Sequence, residues 1–306
     1  MDRLDALRVF VAVAERLSFT LAARDMRISA TAASRAIADL EAGLGVALLR
    51  RTTRSVGLTA EGAAYLQRCR GILADLDEAD RSLRGEDAEP RGVLIITAPV
   101  LFGRMHVTPV VSDLIRAHPT LDVELTLTDR IVRLVEEGVD VAVRIADLAD
   151  SALHAVRVSE TRPVLVASPD YLAERGTPRT LSDLRDHQQI VFDAFAPNGE
   201  WRFGSSRSVV RCEPRLLTNS ADVAVAAALE GLGIARVLCY QVAAHVAAGR
   251  LVHVLAPLDP EPAPVSLVFQ ANRRRSPNVR AFIEAMQARF RTDVPGAQVR
   301  DATAAA

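Results

Sequence analysis

The sequence predicts an α+β multidomain chain: a helical head with one short strand pair, one long helix, and a larger α/β body. Three observations carry this expectation. Helical periodicity fills most of residues 1–60 and is followed by a basic turn, a proline-free helical stretch runs from Thr59 to about Arg84, and beyond Pro90 short β-rich runs alternate with helical ones. At 306 residues and 49% hydrophobic, the chain is long enough for two or three packed cores.

In the head, Leu4, Leu7, Val11 and Ala14 form one stripe of a first helix over residues 4–17. Ser18 and Phe19 interrupt it. Thr20 is placed to cap a second short helix through Met26, and Ser29 a third in which Ala33, Ile37 and Leu40 recur on one face. The turn between them falls at Arg27 and Ile28, and Gly43 and Gly45 close the third helix. Val46 to Leu58 then reads as a strand pair around the basic tip Arg50-Arg51-Thr52-Thr53-Arg54.

The long helix opens at Thr59, an N-cap with Glu61 behind it. Leu66, Cys69, Leu73, Leu76 and Leu83 make a narrow stripe broken by Asp80, which suits a helix paired with a second chain. Gly85 to Pro90 ends it with hinge chemistry. Charge divides along the same line. Residues 1–60 hold nine arginines against six acids, while residues 72–89 hold seven acids and two arginines, so a basic head precedes an acidic stalk and points to a polyanion at the head.

In the body, strands are expected at 93–98, 121–128, 139–145, 163–167 and 188–192, and helices at 104–117, 131–137, 169–175, 221–229 and 279–290. Such alternation predicts mainly parallel sheets. The Ala-rich end, 296–306, reads as a disordered tail.

Several function classes are disfavoured. No long uncharged apolar run occurs and the start Met1-Asp2-Arg3-Leu4-Asp5 lacks the order of a signal peptide, so a cytoplasmic protein without membrane contact is expected. Cys69, Cys212 and Cys239 have neither metal-ligand nor disulfide spacing. The six histidines are scattered singly and no His-Glu-x-x-His or Gly-x-Ser-x-Gly run appears, so the sequence carries no catalytic set, metal site or cofactor fingerprint. All 37 basic residues are arginine, a bias from which no function follows.

A helix-turn-helix needs small residues where its helices cross, an apolar anchor in the turn, and short polar side chains opening the recognition helix. Ala22 and Ala23, then Ile28, then Ser29, Ala30, Thr31, Ser34 and Arg35 fill those roles in order. Arginine suits bidentate contact with guanine or phosphate, and Ala30 and Thr31 offer methyl surface to thymine. Arg51, Thr52, Thr53 and Arg54, with Arg50, suit phosphate or minor-groove contact.

The run Phe10 to Glu15, Ser18-Phe19-Thr20, Ala22-Ala23, Ile28-Ser29, Ser34-Arg35-Ala36-Ile37, Leu40-Glu41, Leu44-Gly45, Leu48-Leu49, Arg51 to Arg54 and Leu58 to Gly62 resembles the LysR-type transcriptional regulators. The match continues through Thr97-Ala98-Pro99, Phe102-Gly103-Arg104, Asp129-Arg130, Asp140 to Arg144, Val166 to Leu172, Asn219-Ser220 and Gly231 to Ile234. The resemblance implies a winged helix-turn-helix over 1–60, a dimerising linker helix over 61–88, and an effector domain over 91–295 with the two-lobed periplasmic-binding-protein fold. Lobe one would comprise 91–161 and 268–295, and lobe two 162–267. The family usually has glutamine and proline after the capping serine, where this chain has Ala30 and Thr31, so an unusual operator is expected.

By position, the resemblance implies an effector pocket of Pro99, Val100, Leu101, Thr128, Ile145, Thr161, Asn219 and Ser220. Many relatives carry serine where Leu101 stands, which makes this cleft more apolar. Two helix starts, at Pro99–Gly103 and at Asn219-Ser220, also offer backbone donors to an anion. A small organic acid or an aromatic compound is the expected effector. Double-stranded DNA, a homodimer assembling to a homotetramer, and RNA polymerase are the implied partners. The competing expectation is a solute-binding module whose head binds protein rather than DNA.

Overall fold

The computed structural model describes residues 2–51, 56–83, 89–146, 153–196, 199–203 and 208–292. The chain divides into two compact units, Met1–Gly92 with Val132–Val139, and Val93–Ile131 with Asp140–Ala306.

The first unit opens with helix α1 (Arg3–Arg16), capped by the Asp2 carboxylate and ended by Leu17 in the left-handed conformation. Helix α2 (Phe19–Asp25) is capped by Ser18, whose Oγ accepts from Leu21 N–H, and not by Thr20 as expected. Helix α3 (Ala30–Leu44) is capped by Ser29 and closed by Gly45 at φ +71°. Strands β1 (Leu49–Arg51) and β2 (Val56–Leu58) pair antiparallel, with Leu49 opposite Leu58. Helix α4 (Ala60–Leu83) follows.

One core binds these elements. Phe10, Val13, Ala22, Ala33 and Ile37 are almost fully buried where the three helices cross, so the alanines allow the close approach their size predicts. Leu66 and Cys69 of α4 belong to the same core and Leu73 packs against it. This corrects the expected stripe: its first half is bound to the chain's own head, while Ile72 stays half exposed.

The segment Val132–Val139 packs in this unit as a run of turns, where the sequence predicted a helix over 131–137. Its pattern is that of a buried loop, with Val132, Leu134 and Val139 inside. Gly138 at φ +65° lets the backbone lie against Gln67 of α4, and the Glu137 carboxylate accepts from Arg133 N–H.

The second unit holds two five-stranded sheets. The first contains β3 (Gly92–Ala98), β4 (Leu121–Leu127), β5 (Val141–Ile145), β6 (Leu153–Thr161) and β14 (Ala263–Gln270) in the order β4-β3-β5-β14-β6. The second contains β7 (Pro163–Ala167), β8 (Gln189–Phe192), β11 (Pro214–Thr218), β12 (Ile234–Leu238) and β13 (Val252–Val254) in the order β11-β8-β12-β7-β13. A hairpin of β9 (Glu200–Phe203) and β10 (Ser208–Arg211) stands beside it.

Both sheets are mixed rather than mainly parallel: β3–β5, β8–β11 and β8–β12 are parallel, whereas β14 runs antiparallel to β5 and β6, and β7 antiparallel to β12 and β13. Helices α5 (Val100–Phe102) and α6 (Thr108–Ala117), joined by a wide turn over Gly103–Val107, follow β3. Helices α7 (Pro169–Arg175), α8 (Ala221–Leu229) and α9 (Cys239–Ala247) serve the second sheet, and α10 (Pro277–Thr292) returns to the first.

The backbone passes from sheet to sheet twice, at Arg162 between β6 and β7, and between β13 and β14. Because β14 begins at Ala263, the return falls several residues before the expected boundary at 268. A shared apolar core runs through both lobes, from Leu94 and Ile96 to Val164, Ile190 and Ala235.

Candidate nucleic-acid interface and interlobe cleft

Helix α3 separates its faces sharply. Ala33, Ala36, Ile37 and Leu40 are buried, while Ala30, Thr31 and Arg35 are exposed and Ser34 is half-buried. Ser29 Oγ accepts from Ala32 N–H at 3.0 Å, so its oxygen is spent on the cap and fixes where the exposed face begins. The turn before it is held by Ile28 N–H donating to Ala23 O at 2.9 Å, with Arg27 in the left-handed region at φ +57°.

The wing is tied down by two polar anchors. Glu41 Oε1 on α3 accepts from the N–H groups of Leu48 and Leu49 at 2.8 and 3.0 Å. Thr59 Oγ1 donates to Ala47 O at 2.8 Å and accepts from Gly62 N–H at 2.8 Å, joining the strand pair to the start of α4. Gly62 has to be glycine, because a Cβ there would fall 1.9 Å from Leu48 O. Arg50 Nε donates to Leu58 O at 3.2 Å across the base of the wing. Arg51 ends β1, and Thr52, Thr53 and Arg54 lie outside the described residues. Arg24 and Arg27, both exposed at the turn, were not singled out by the sequence reading. Their position one helix before the recognition helix was the available signal.

In the second unit the predicted pocket residues divide. Val100 is exposed and Pro99 half-buried, but Leu101 is only 5% exposed and belongs to the core. Thr128 continues β4 by donating its N–H to Ala98 O at 2.9 Å, next to Pro99. Thr161, buried at the end of β6, has its Oγ1 3.3 Å from Cys239 Sγ. Ile145 is half-buried against the shared core. Ser220 caps α8 by accepting from Val223 N–H, beside the exposed Asn219.

One backbone donor at each helix start is already engaged. The Asp129 carboxylate accepts from Val100 N–H at 3.1 Å, and Asp222 stands in the first turn of α8 with Arg104 Nη2 3.0 Å away. Burial pushes the Asp129 carboxyl above its usual range, Asp193 and Asp222 add repulsion, and the Val100 N–H works in the opposite direction. Phe102 meets Tyr240 edge to face at 5.4 Å, so the stretch 100–104 touches β4's end, α8 and α9 in turn. Burial above all pushes the Tyr240 hydroxyl upward.

Comparison with known families decides the identity. Residues 4–63 match the bacterial regulatory helix-turn-helix protein, lysR family, and residues 87–291 match the LysR substrate binding domain. The chain belongs to the LysR family. Among relatives, an HTH-type transcriptional repressor of Pseudomonas aeruginosa is 34% identical over 287 residues, covering 92% of this chain and 90% of that protein. DmlR, an HTH-type transcriptional regulator of Escherichia coli, is 33% identical over 295 residues, covering 95% and 96%. Of solved structures, the LysR-type regulator CrgA of Neisseria meningitidis aligns with a TM-score of 0.61 at 29% identity, covering 94% of this chain and 98% of CrgA. AphB, a virulence activator of Vibrio cholerae, aligns at 0.59 and 26% identity, covering 95% and 100%.

This LysR-type protein is therefore a transcriptional regulator and not an enzyme. Among the described residues no helix is long and apolar enough to cross a membrane, and no group of three ligands gathers for a metal. The thiols of Cys69 and Cys212 are both pushed up to about 11, by burial first. A basic residue the sequence reading passed over, Arg236, is buried in β12, where its guanidinium lies over the Phe203 ring and donates to Arg202 O. Burial brings it down to about 10, in keeping with a structural strut.

Proposed function

We propose that this regulator binds a specific operator through Ala30, Thr31, Ser34 and Arg35 of α3, with Arg51, Thr52, Thr53 and Arg54 of the wing on adjacent phosphates or the minor groove, and that a small molecule between the lobes of the second unit controls it. The carrying observation is the exposed Ala30-Thr31-Arg35 face on a helix whose start and wing are both fixed by hydrogen bonds. With no amide at position 30, Arg35 is left as the one long base-reading side chain in the first two turns.

An electrophoretic shift and footprint on the DNA upstream of the chain's own coding region tests the reading. Arg35→Ala is expected to lower specific binding by about 1–3 kcal/mol and to relax sequence preference. Arg51→Ala is expected to weaken specific and random DNA alike and to lower the salt slope by about one. Equal loss on both DNAs for both variants would sink the division of labour.

For the effector, the proposed lining is Pro99, Val100, Thr128, Ile145, Asn219 and Ser220, with the buried side chains of Leu101 and Thr161 behind it. The apolar side chain at Leu101 and the carboxylate of Asp129 on the Val100 N–H favour the aromatic expectation over the small organic acid. Lobe movement would change how the subunits of a homodimer or homotetramer, acting with RNA polymerase on cytoplasmic DNA, reach their half-sites. A ligand screen read by a change in that footprint tests this half, and an unchanged footprint across aromatic and neutral compounds counts against it.

A further inference from the structure

We propose that Asp129 is a specificity-determining residue of the interlobe cleft: its carboxylate fills the backbone donor at the start of the Val100 segment, so the ligand end seated there is uncharged or cationic and not a carboxylate. The inference rests on the reading of this cleft as the effector site.

A carboxylate is recognised by backbone N–H groups at a helix start, by a guanidinium, or by both. Here each kind of donor already has a carboxylate of the protein. Val100 N–H donates to Asp129 Oδ1 at 3.1 Å. Arg104 Nη2, one turn further along the same stretch, is 3.0 Å from Asp222 Oδ1 on the opposite lobe. The second helix start is capped by Ser220, whose Oγ accepts from Val223 N–H.

The position of Asp129 is set by the fold rather than by a flexible loop end. Thr128 N–H donates to Ala98 O at 2.9 Å, which prolongs β4 beside β3 and delivers the next residue to the turn where β3 gives way to Val100. Leu101 occupies the adjacent place and turns its side chain into the core, so it adds no side-chain donor. An entering carboxylate would have to displace Asp129 and then remain beside it, and Asp193 and Asp222 stand within electrostatic reach. A ligand bringing N–H donors or a positive charge meets the reverse situation, since Asp129 retains lone pairs beyond the one engaged with Val100.

The test uses the full-length protein with [15N]valine, the Val100 amide signal being assigned by its loss in Val100→Ile. Sodium acetate is the probe, titrated at constant ionic strength. In the wild type the Val100 amide is expected not to respond saturably. Asp129→Ala vacates the donor and is expected to bind acetate at least tenfold more tightly, with a saturating shift at Val100. Asp129→Asn keeps an acceptor in place, protects the fold, and is expected to stay as unresponsive as the wild type.

A saturable wild-type response, an Asn variant that opens to acetate, or a folded Ala variant that does not open would each overturn the proposal. The wild-type and Asn arms decide it even where the Ala variant does not fold. Failure of the effector reading looks different: the Val100 amide behaves as stated, and no ligand alters the DNA footprint.

Discussion

Glu41 shows how one side chain links two parts of the DNA-binding head. It sits on the recognition helix, yet its Oε1 serves the N–H groups of Leu48 and Leu49, which open the wing and would otherwise be half-buried donors without that acceptor. Glu41→Ala is expected to cost about 2–3 kcal/mol, the range for hydrogen bonds to a charged group, read as a lower urea midpoint with unchanged slope. Glu41 was quoted in the sequence only as part of a family pattern, because its partners lie seven and eight residues away and no local periodicity reports them. Gly62 was equally opaque until the strand pair was placed on α4, when Leu48 O filled the space a side chain needs. The thiols behave as buried groups. At about 11, Cys69 and Cys212 hold roughly one thiolate in ten thousand molecules at pH 7. Native protein at pH 7 is therefore expected to resist iodoacetamide at both positions, and rapid labelling of either would contradict it. The sign for stability follows: the raised values favour the folded state fully below the ordinary thiol range near 9, and that contribution is lost as pH climbs through 11.

Among the elements, the helices of the head were readable because their buried stripes repeat every three or four residues and each carries a local cap. Ser29 and Gly45 were recognisable as start and stop from residue type alone. Thr20 misled because Ser18 lies two residues earlier with equal chemistry, and the structure uses that one. Leu17, by contrast, ends α1 at φ +48° and is 52% exposed, an arrangement glycine or asparagine adopts at lower cost. Leu17→Asn is expected to raise stability by about 0.5–1 kcal/mol, seen as a higher Tm, and a fall would show that the leucine makes a contact beyond the single chain. In the body, β14 escaped notice for a physical reason. Pro257, Pro260, Pro262 and Pro264 surround its start and read as loop, yet Pro264 is accommodated opposite Glu160 just before a shift of register. The expected helix over 131–137 failed where Val132 and Leu134 are buried singly along a run of turns, with Ile131 and Val135 exposed, rather than on one helical face. The contact of Asp129 with Val100 was not legible, since the two are joined only when β4 ends beside β3.

At the scale of the whole molecule, the two sheets of the second unit depend on the chain in different ways. All five strands of the second sheet fall within residues 163–254, in one unbroken stretch. The first sheet takes four strands from before Thr161 and then waits for β14, which sits between β5 and β6 and pairs with both. Until residues 263–270 exist, β5 and β6 have no common neighbour, and α10 is not there to pack on α6. Synthesis from the N-terminus therefore completes the second lobe while the first stays open along its middle. A released fragment ending near residue 260 is expected to protect β7, β8 and β12 from hydrogen exchange and to leave β3 and β5 unprotected, whereas simultaneous protection of both sets would show that β14 is dispensable. The lobe that contributes Val100 and Asp129 is thus the last to close, so a nascent regulator has its DNA-reading head translated well before it has a finished receptor.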